Sequence, residues 1–477
     1  MTATVAAIDL GATSGRVVRA EISRTSLRLD EITRFENRPV RVGDGLHWAV
    51  LGFYDRAMQG VAAAARGRSG AARLASVAVD SWAVDYGLLR RGSLLGIPFS
   101  YRDDRTARGL ELVDEVIAQP ALYARCGLQR MPFTTINQLM VDRERGLLEV
   151  ADTLLMLPDL MNYWMTGRMV TEATNASTTG LMRLDGTWDT ELMAMLGIPA
   201  SLVAEVVVPG TRIGAIDATT RAHFGIDGAP DVLAVGSHDT ASAVVGVPME
   251  PDAAYISSGT WSLVGIETAS PIATPDALEA QFTNEGGVDG RNRFLKNVMG
   301  LWILSESMRT WQAAGECPDL PQLLSAAAEV DRRAPVFDPT DDAFYPPGDM
   351  PSRITAWFSE RGQRAPQGHA EIVRCILESL AEGYAVTLRD AARISGQRIE
   401  RVHVVGGGSR NALLCQLTAD RTGLPVVAGP VEATAIGNVL VQARTLGEAP
   451  DTLEGLRALV RATHELVEYR PRATRAR

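Results

Sequence analysis

"TVAAIDLGATSGRVVRAEI", residues 4–22, is an apolar run that halts at a glycine, passes through two hydroxyl residues and returns as a second apolar run. That order predicts strand, tight turn and antiparallel strand. The same sequence of events recurs in "DAAYISSGTWSLVGIET", residues 252–268. The first copy carries Asp9, Gly11 and Thr13 as D-x-G-x-T; the second carries Ser257, Gly259 and Thr260 as S-x-G-T. An offset of about 250 residues is too long for a solenoid and points to two related domains.

Outward from these hairpins, strands alternate with helices in both halves. A third strand follows the first hairpin, "GFYDRAMQGVAAAARG" has helical spacing, and "LASVAVDSWAVDYGLLR" suggests a buried strand pair. Residues 105–170 have mainly helical spacing, with breaks expected at Pro120, Pro132 and Pro158. "DVLAVG" (231–236) is a buried strand leading into a helix. Later come helices around 298–314 and 369–394, the strand "RVHVVGGGSRN", another helix, the strand "LPVVAGP" and a final helix after "EATAIGNVL". The Pro/Asp-rich stretch 338–354 is expected to be a loop. The pattern is α/β, divided into residues 1–245 and 246–477.

The composition supports that division. With 477 residues, 46% hydrophobic and 22% charged, the chain exceeds one ordinary core and has a globular enzyme's balance. A net charge of −10 with no long basic run disfavours nucleic-acid binding. The four cysteines are scattered without a CxxC, the six histidines make no HExxH, and neither a secretory leader nor a membrane-spanning run is evident. No disulfide or zinc framework, no membrane association and a cytoplasmic location are therefore expected. Lys296 is the only lysine and lies in "RFLKNVMG", so a Walker A phosphate loop is excluded.

Three stretches carry chemistry. Gly, Thr and Ser in "AIDLGATSGR" can offer successive N–H groups and hydroxyls to a phosphate, and Asp9 can face magnesium; an ordinary hairpin is the alternative. In "VHVVGGGSRN" three glycines allow a ligand to approach the backbone, although G-x-G-x-x-G is not met. In "VLAVGSHDTASAVVG" (232–246) a strand end delivers His238, Asp239 and Thr240 to a helix start. Asp239 there suits either a general base for a hydroxyl attacking phosphorus or a helix N-cap. An aspartate phosphatase is disfavoured because Gly11 stands where a second aspartate is needed, and no GxSxG elbow supports a serine hydrolase.

Taken together, "AIDLGATSGRVV", "VDSWAVDYGLL", "YRDDRT", "SHDTASAV", "AYISSGTWSLVGIE", "TNEGG", "LKNVMGLW", "GGGSRNALLCQLTADRTGLPV" and "GPVEATAIGN" resemble the FGGY family of carbohydrate kinases over nearly the whole chain. The combination of "SHDTASA", "LKNVMGLW" and "PVEATAIGN" is most similar to its rhamnulokinase branch. The resemblance implies two related actin-like, ribonuclease H-like domains around an interdomain catalytic cleft, with ATP and Mg2+ as cofactors. It implies phosphorylation of L-rhamnulose at the 1-hydroxyl with Asp239 as proton acceptor. Ala83, Asp85, His238 and Thr240 would line the sugar site. Ala12, Thr13, Ser14, Gly15 and Arg16 would meet the phosphates, with Asp9 toward the metal. Thr260, Asn297, Ser305, Gly407, Gly408 and Asn411 would serve the nucleotide from the second half. Ala83 stands where the family usually has glycine, and Ser305 where it has glutamine. Partners are then a small sugar and ATP, with no nucleic acid and no membrane, and a monomer is expected. A kinase for another ketose, such as L-fuculose or L-ribulose, and a non-catalytic sugar- or nucleotide-sensing regulator on the same fold are the alternatives.

Overall fold

A computed structural model describes residues 2–67, 73–316, 319–330 and 334–472. Cys317 lies outside the described residues; Cys126, Cys375 and Cys415 are buried and free. The chain forms two compact units. One comprises residues 1–248, 267–294 and 433–463, and the other comprises 249–266, 295–432 and 464–477. The chain thus leaves the first unit near the expected division at 245/246, but re-enters it twice.

The first unit is built on a six-stranded sheet. Its order is Arg212–Ala215, Asp231–Leu233, Ser76–Ser81, Ala3–Leu10, Ser14–Ile22, Leu27–Glu36. Ala3–Leu10 pairs antiparallel with Ser14–Ile22 and parallel with Ser76–Ser81, which in turn runs parallel to Asp231–Leu233. Both faces are covered, as the nearly continuous apolar strands require. Ala6, Ile8 and Leu10 join Val77, Val79 and the helix Val50–Arg66 in one core. Val5, Ala7 and Ala78 face the opposite core, with the helices Ala433–Thr445 and Leu453–Thr463. Successive strand residues alternate faces, so Asp9 and Asp80 emerge on this second face at the C-terminal strand ends.

The second unit repeats the design. A seven-stranded sheet runs, in order, Thr283–Gly286, Asn292–Met299, Trp261–Thr268, Ala253–Ser258, Arg401–Val405, Val426–Ala428 and Val467–Tyr469. Ala253–Ser258 pairs antiparallel with its hairpin partner and parallel with Arg401–Val405, which runs parallel to Val426–Ala428. The hairpin repeat read from sequence is therefore the first two strands of each of two similarly ordered sheets.

Some local expectations change. Pro120 and Pro158 begin the helices Gln119–Cys126 and Leu157–Thr166 rather than break them, because proline in a first turn forfeits no intrahelical hydrogen bond. Within 105–170 the segment Thr153–Met156 is a strand, paired antiparallel with Tyr86–Arg90. Residues 292–299 are also strand, so the helix expected from 298 begins at Trp302. The loop expected over 338–354 ends where the helix Met350–Glu360 begins, capped by Asp349. No helix among the described residues is long and apolar enough to cross a membrane.

Candidate active site

Asp239 is the first residue of the helix Asp239–Gly246, and His238 occupies the N-cap position. Ala241 and Ser242 donate their N–H groups to the His238 carbonyl. Asp239 is therefore not the cap that its place in the sequence allowed. Its Oδ1 accepts from the Thr240 hydroxyl at 3.1 Å and lies 3.4 Å from His238 Nε2. About a third of the side chain, 31%, is exposed. Burial of the carboxylate raises its pKa; His238 opposes that shift and the negative charge of Asp9 adds to it.

The loop before Asp239 is pinned by Glu172, which sequence reading missed. Its fully buried carboxylate accepts from Ser237 N (3.0 Å), Ser237 Oγ (2.7 Å) and the Thr174 hydroxyl (2.6 Å). The Thr174 oxygen in turn accepts from His238 N at 3.2 Å, and Ser81 N donates to the Ser237 carbonyl at 2.9 Å. His238 is further held by a buried ion pair. Arg293 NH1 lies 2.9 Å from Glu285 Oε2, and both Arg293 NH2 (3.1 Å) and Glu285 Oε2 (3.2 Å) approach His238 Nδ1. Burial works to raise the Glu285 pKa, but Arg293 and His238 outweigh it and hold the group below the usual range. Glu285 lies in the landmark "TNEGG" but was not among the expected site residues, and nothing local signalled that Arg293 would meet the histidine.

Asp9 and Arg16 face each other across the first hairpin, and Arg16 donates to Asp9 Oδ2 through Nε (2.9 Å) and NH2 (2.5 Å). The turn between them is closed by Gly11 N to Ser14 O at 2.9 Å. Thr13 is exposed, and Ala12 and Ser14 are half-buried. Gly15 is a glycine for packing: a Cβ there would lie 2.4 Å from the Phe35 ring. Asp80, which sequence reading did not single out, pairs in register with Asp9 on the neighbouring parallel strand. Its Oδ2 accepts from Asn438 Nδ2 at 2.6 Å, whereas its buried Oδ1 has no protein partner. Burial first, then the charges of Asp9 and Asp239, raise its pKa well above the ordinary value. Three carboxylates thus feel one another's charge, which is the electrostatic setting a divalent cation relieves. No group of three His, Cys, Asp or Glu among the described residues forms a protein-only metal cage.

Ala83 and Val84 are half-buried between the buried Trp82 and Asp85. Ala83 does not adopt a positive φ, so alanine at this position costs no backbone strain. Asp85 proves to be a hub. Its Oδ2 accepts from Trp48 Nε1 (2.6 Å), Trp82 Nε1 (2.9 Å) and Tyr101 N (3.2 Å), and its Oδ1 accepts from Gln138 Nε2 (3.0 Å). These donors occupy both oxygens, so Asp85 shapes the wall beside Ala83 rather than presenting a free carboxylate.

In the second unit, the Gly259–Thr260 turn is buttressed by Leu301 N to Gly259 O (3.0 Å) and Trp302 N to Thr260 O (3.2 Å). Gly407 has no heavy atom within 4 Å of where a Cβ would stand, so its face is open; at Gly408 a Cβ would strike Ser258 Oγ at 2.0 Å. Asn411 Oδ1 caps the helix Ala412–Thr422 through Leu414 N at 3.0 Å. Asn297 is half-buried and Ser305 is exposed on the first turn of the helix Trp302–Ala313.

Residues 90–246 match the N-terminal domain of the FGGY family of carbohydrate kinases, and residues 254–446 match its C-terminal domain. A rhamnulokinase of Bacteroides thetaiotaomicron is 41% identical over 471 residues, covering 98% of this chain and 95% of that protein. A rhamnulokinase of Oceanobacillus iheyensis is 36% identical, covering 97% of each chain. Among solved structures, a gluconate kinase from Lactobacillus acidophilus aligns with a TM-score of 0.80 at 16% identity, over 99% of this chain and 94% of the other. A xylulose kinase from Rhodospirillum rubrum aligns with a TM-score of 0.79 at 19% identity, over 98% and 94%.

Proposed function

Since the chain belongs to the FGGY family of carbohydrate kinases, and is a sugar kinase using ATP, we propose that its substrate is L-rhamnulose and its product L-rhamnulose 1-phosphate. The observation that carries the mechanism is Asp239. It is a carboxylate about a third exposed in a helix's first turn, not spent on capping, with a raised pKa and a pinned loop behind it. The choice of sugar is supported by the rhamnulokinases that match nearly the whole chain.

In this reading the sugar's 1-hydroxyl oxygen forms a bond to the γ-phosphorus as the bond to the β-phosphate oxygen breaks. Asp239 takes the hydroxyl proton, and ADP leaves. His238, fixed by Arg293 and Glu285, and Thr240 orient the carboxylate and border the sugar. Ala83 lies at the tip of the wall that Asp85 organises. Arg16 and the turn Ala12–Gly15 meet the phosphates. Thr260, Asn297, Ser305, Gly407, Gly408 and Asn411 serve the nucleotide, so residues 1–245 carry sugar and base, and 246–477 the nucleotide set. Mg2+ suits the carboxylate set: Asp9 would hold it, with most of its shell left to phosphate and water, and when bound it neutralises charge on the phosphoryl oxygens. A cytoplasmic monomer accompanies this reading.

The test is a coupled ADP assay with L-rhamnulose, L-fuculose, L-ribulose, D-xylulose and glycerol. L-Rhamnulose is expected to have the highest kcat/KM, with a 1-phosphate product by phosphorus NMR. Equal efficiency with D-xylulose or glycerol sinks the choice of sugar and leaves the family membership standing.

A further inference from the structure

Val84 is the one β-branched residue among the described non-glycine residues with positive φ, at +69°. A branched Cβ in that region clashes with its own backbone, and glycine would occupy it freely. Such strain persists only where surroundings over-determine it, and it concentrates at ligand sites. The surroundings here do so. The Val84 carbonyl accepts from the Thr135 hydroxyl (2.7 Å) and Gln138 Nε2 (3.3 Å), and the next residue is clamped by the four donors to Asp85. Gln138 is itself fixed by Arg105 NH2 at 3.2 Å, and Arg105 is ion-paired with Asp142.

The turn also stands in a telling place. Its strand ends at Ser81, which bridges to His238, and Trp82 N donates to the Leu10 carbonyl, one residue past Asp9. Only Ala83 and Val84 reach solvent between buried neighbours. Val84 packs on the apolar cluster containing Trp82 and Tyr101, and Phe133, half-buried on the same cluster, lies tilted against Tyr101 with ring centroids 5.4 Å apart. The polar groups nearby, Asp85 and the two indole N–H groups, are spent on one another. Beside them the Arg102 guanidinium lies 5.1 Å over the Tyr101 ring, while the side chains of the tip itself, Ala83 and Val84, offer a ligand only methyl groups.

We infer that Val84 is a specificity-determining residue, held in a strained conformation so that its side chain presents an apolar surface to the C6 methyl of a 6-deoxyketose. The inference rests on the L-rhamnulose reading and deepens it. A ketose with a C6 hydroxyl would have to leave that hydroxyl without a partner there, which is a larger penalty than a missing methylene.

The experiment compares kcat/KM for L-rhamnulose with that for L-fructose, its counterpart bearing a C6 hydroxyl, in wild type, Val84→Thr and Val84→Gly. Threonine keeps the branching and volume while adding a hydroxyl; glycine removes both side chain and strain. The rhamnulose-to-fructose ratio is expected to fall about tenfold in the variants, a single contact group's worth of discrimination. A fall of roughly threefold or more in either variant supports the inference; a smaller change in both overturns it, because packing alone would not distinguish the sugars. The wild-type values report separately on the underlying reading: a wild type that uses neither sugar overturns both, whereas efficient use of L-rhamnulose with an unmoved ratio overturns only the role of Val84.

Discussion

Asp239 and Asp85 are both aspartates beside a strand end, yet their neighbours give them opposite work. Asp239 keeps about a third of its side chain exposed and a raised pKa, which suits a proton acceptor. Asp239→Asn retains the shape without the base. Turnover is expected to fall by about 10²–10⁴ with little change in sugar KM, measured by steady-state kinetics. Asp85 receives four N–H donors, and burial still lifts its pKa to about 6. In the unfolded chain an aspartate titrates near ~3.9, so between that value and about 6 the folded state binds the extra proton. Stability from this group is full below the window and is lost as pH rises through it. Asp85→Asn leaves one acceptor for four donors and should cost about 2–3 kcal/mol. The wild type's advantage over that variant should be larger at pH 4.5 than at pH 7 in thermal melts; a pH-independent difference would contradict the assignment.

Elements approach closely where the sequence carries small residues. The helices Asp239–Gly246 and Ala433–Thr445 cross so tightly that a Cβ on Gly437 would lie 1.8 Å from the Ser242 carbonyl oxygen, and one on Gly246 would lie 2.2 Å from that of Ala433. One turn along, Gln442 accepts from Ser76 Oγ (2.7 Å) and donates to Ala6 O (2.9 Å), tying the helix to both central strands. Gly437→Ala must push away the helix that begins at Asp239. A destabilisation of about 2 kcal/mol is expected, together with lost turnover even at saturating substrate. Gly407→Ala, facing open space, should leave the melting temperature in place and raise KM for ATP instead. "PVEATAIGN" was legible as a landmark, but its glycine explains itself only against Ser242, which precedes it by nearly two hundred residues.

Over the whole molecule, the first unit is assembled from three separate stretches of chain. A fragment ending at 245 would lack Ala433–Thr463 and leave Val5, Ala7 and Ala78 without the cover that buries them. It is expected to lack a cooperative melt and near-ultraviolet circular dichroism, while the full chain shows both. A sharp transition in the fragment would show that this cover is dispensable.

The sequence alone determined the hairpins, their repetition, the α/β alternation and Asp239's place at a strand-to-helix junction, because each follows from local periodicity and turn chemistry. Only the tertiary structure decided which side chains meet. Asp80 stands beside Asp9 because two strands separated by the whole first helix pair in one parallel register. Arg293 and Glu285 reach His238 from a segment beyond the second hairpin. Both oxygens of Asp85 are taken by groups from four places in the chain. Val84 is left-handed because its neighbours hold its carbonyl, against its own preference. Register, helix approach and backbone strain are set by packing between distant segments, and no local pattern of residues encodes that balance.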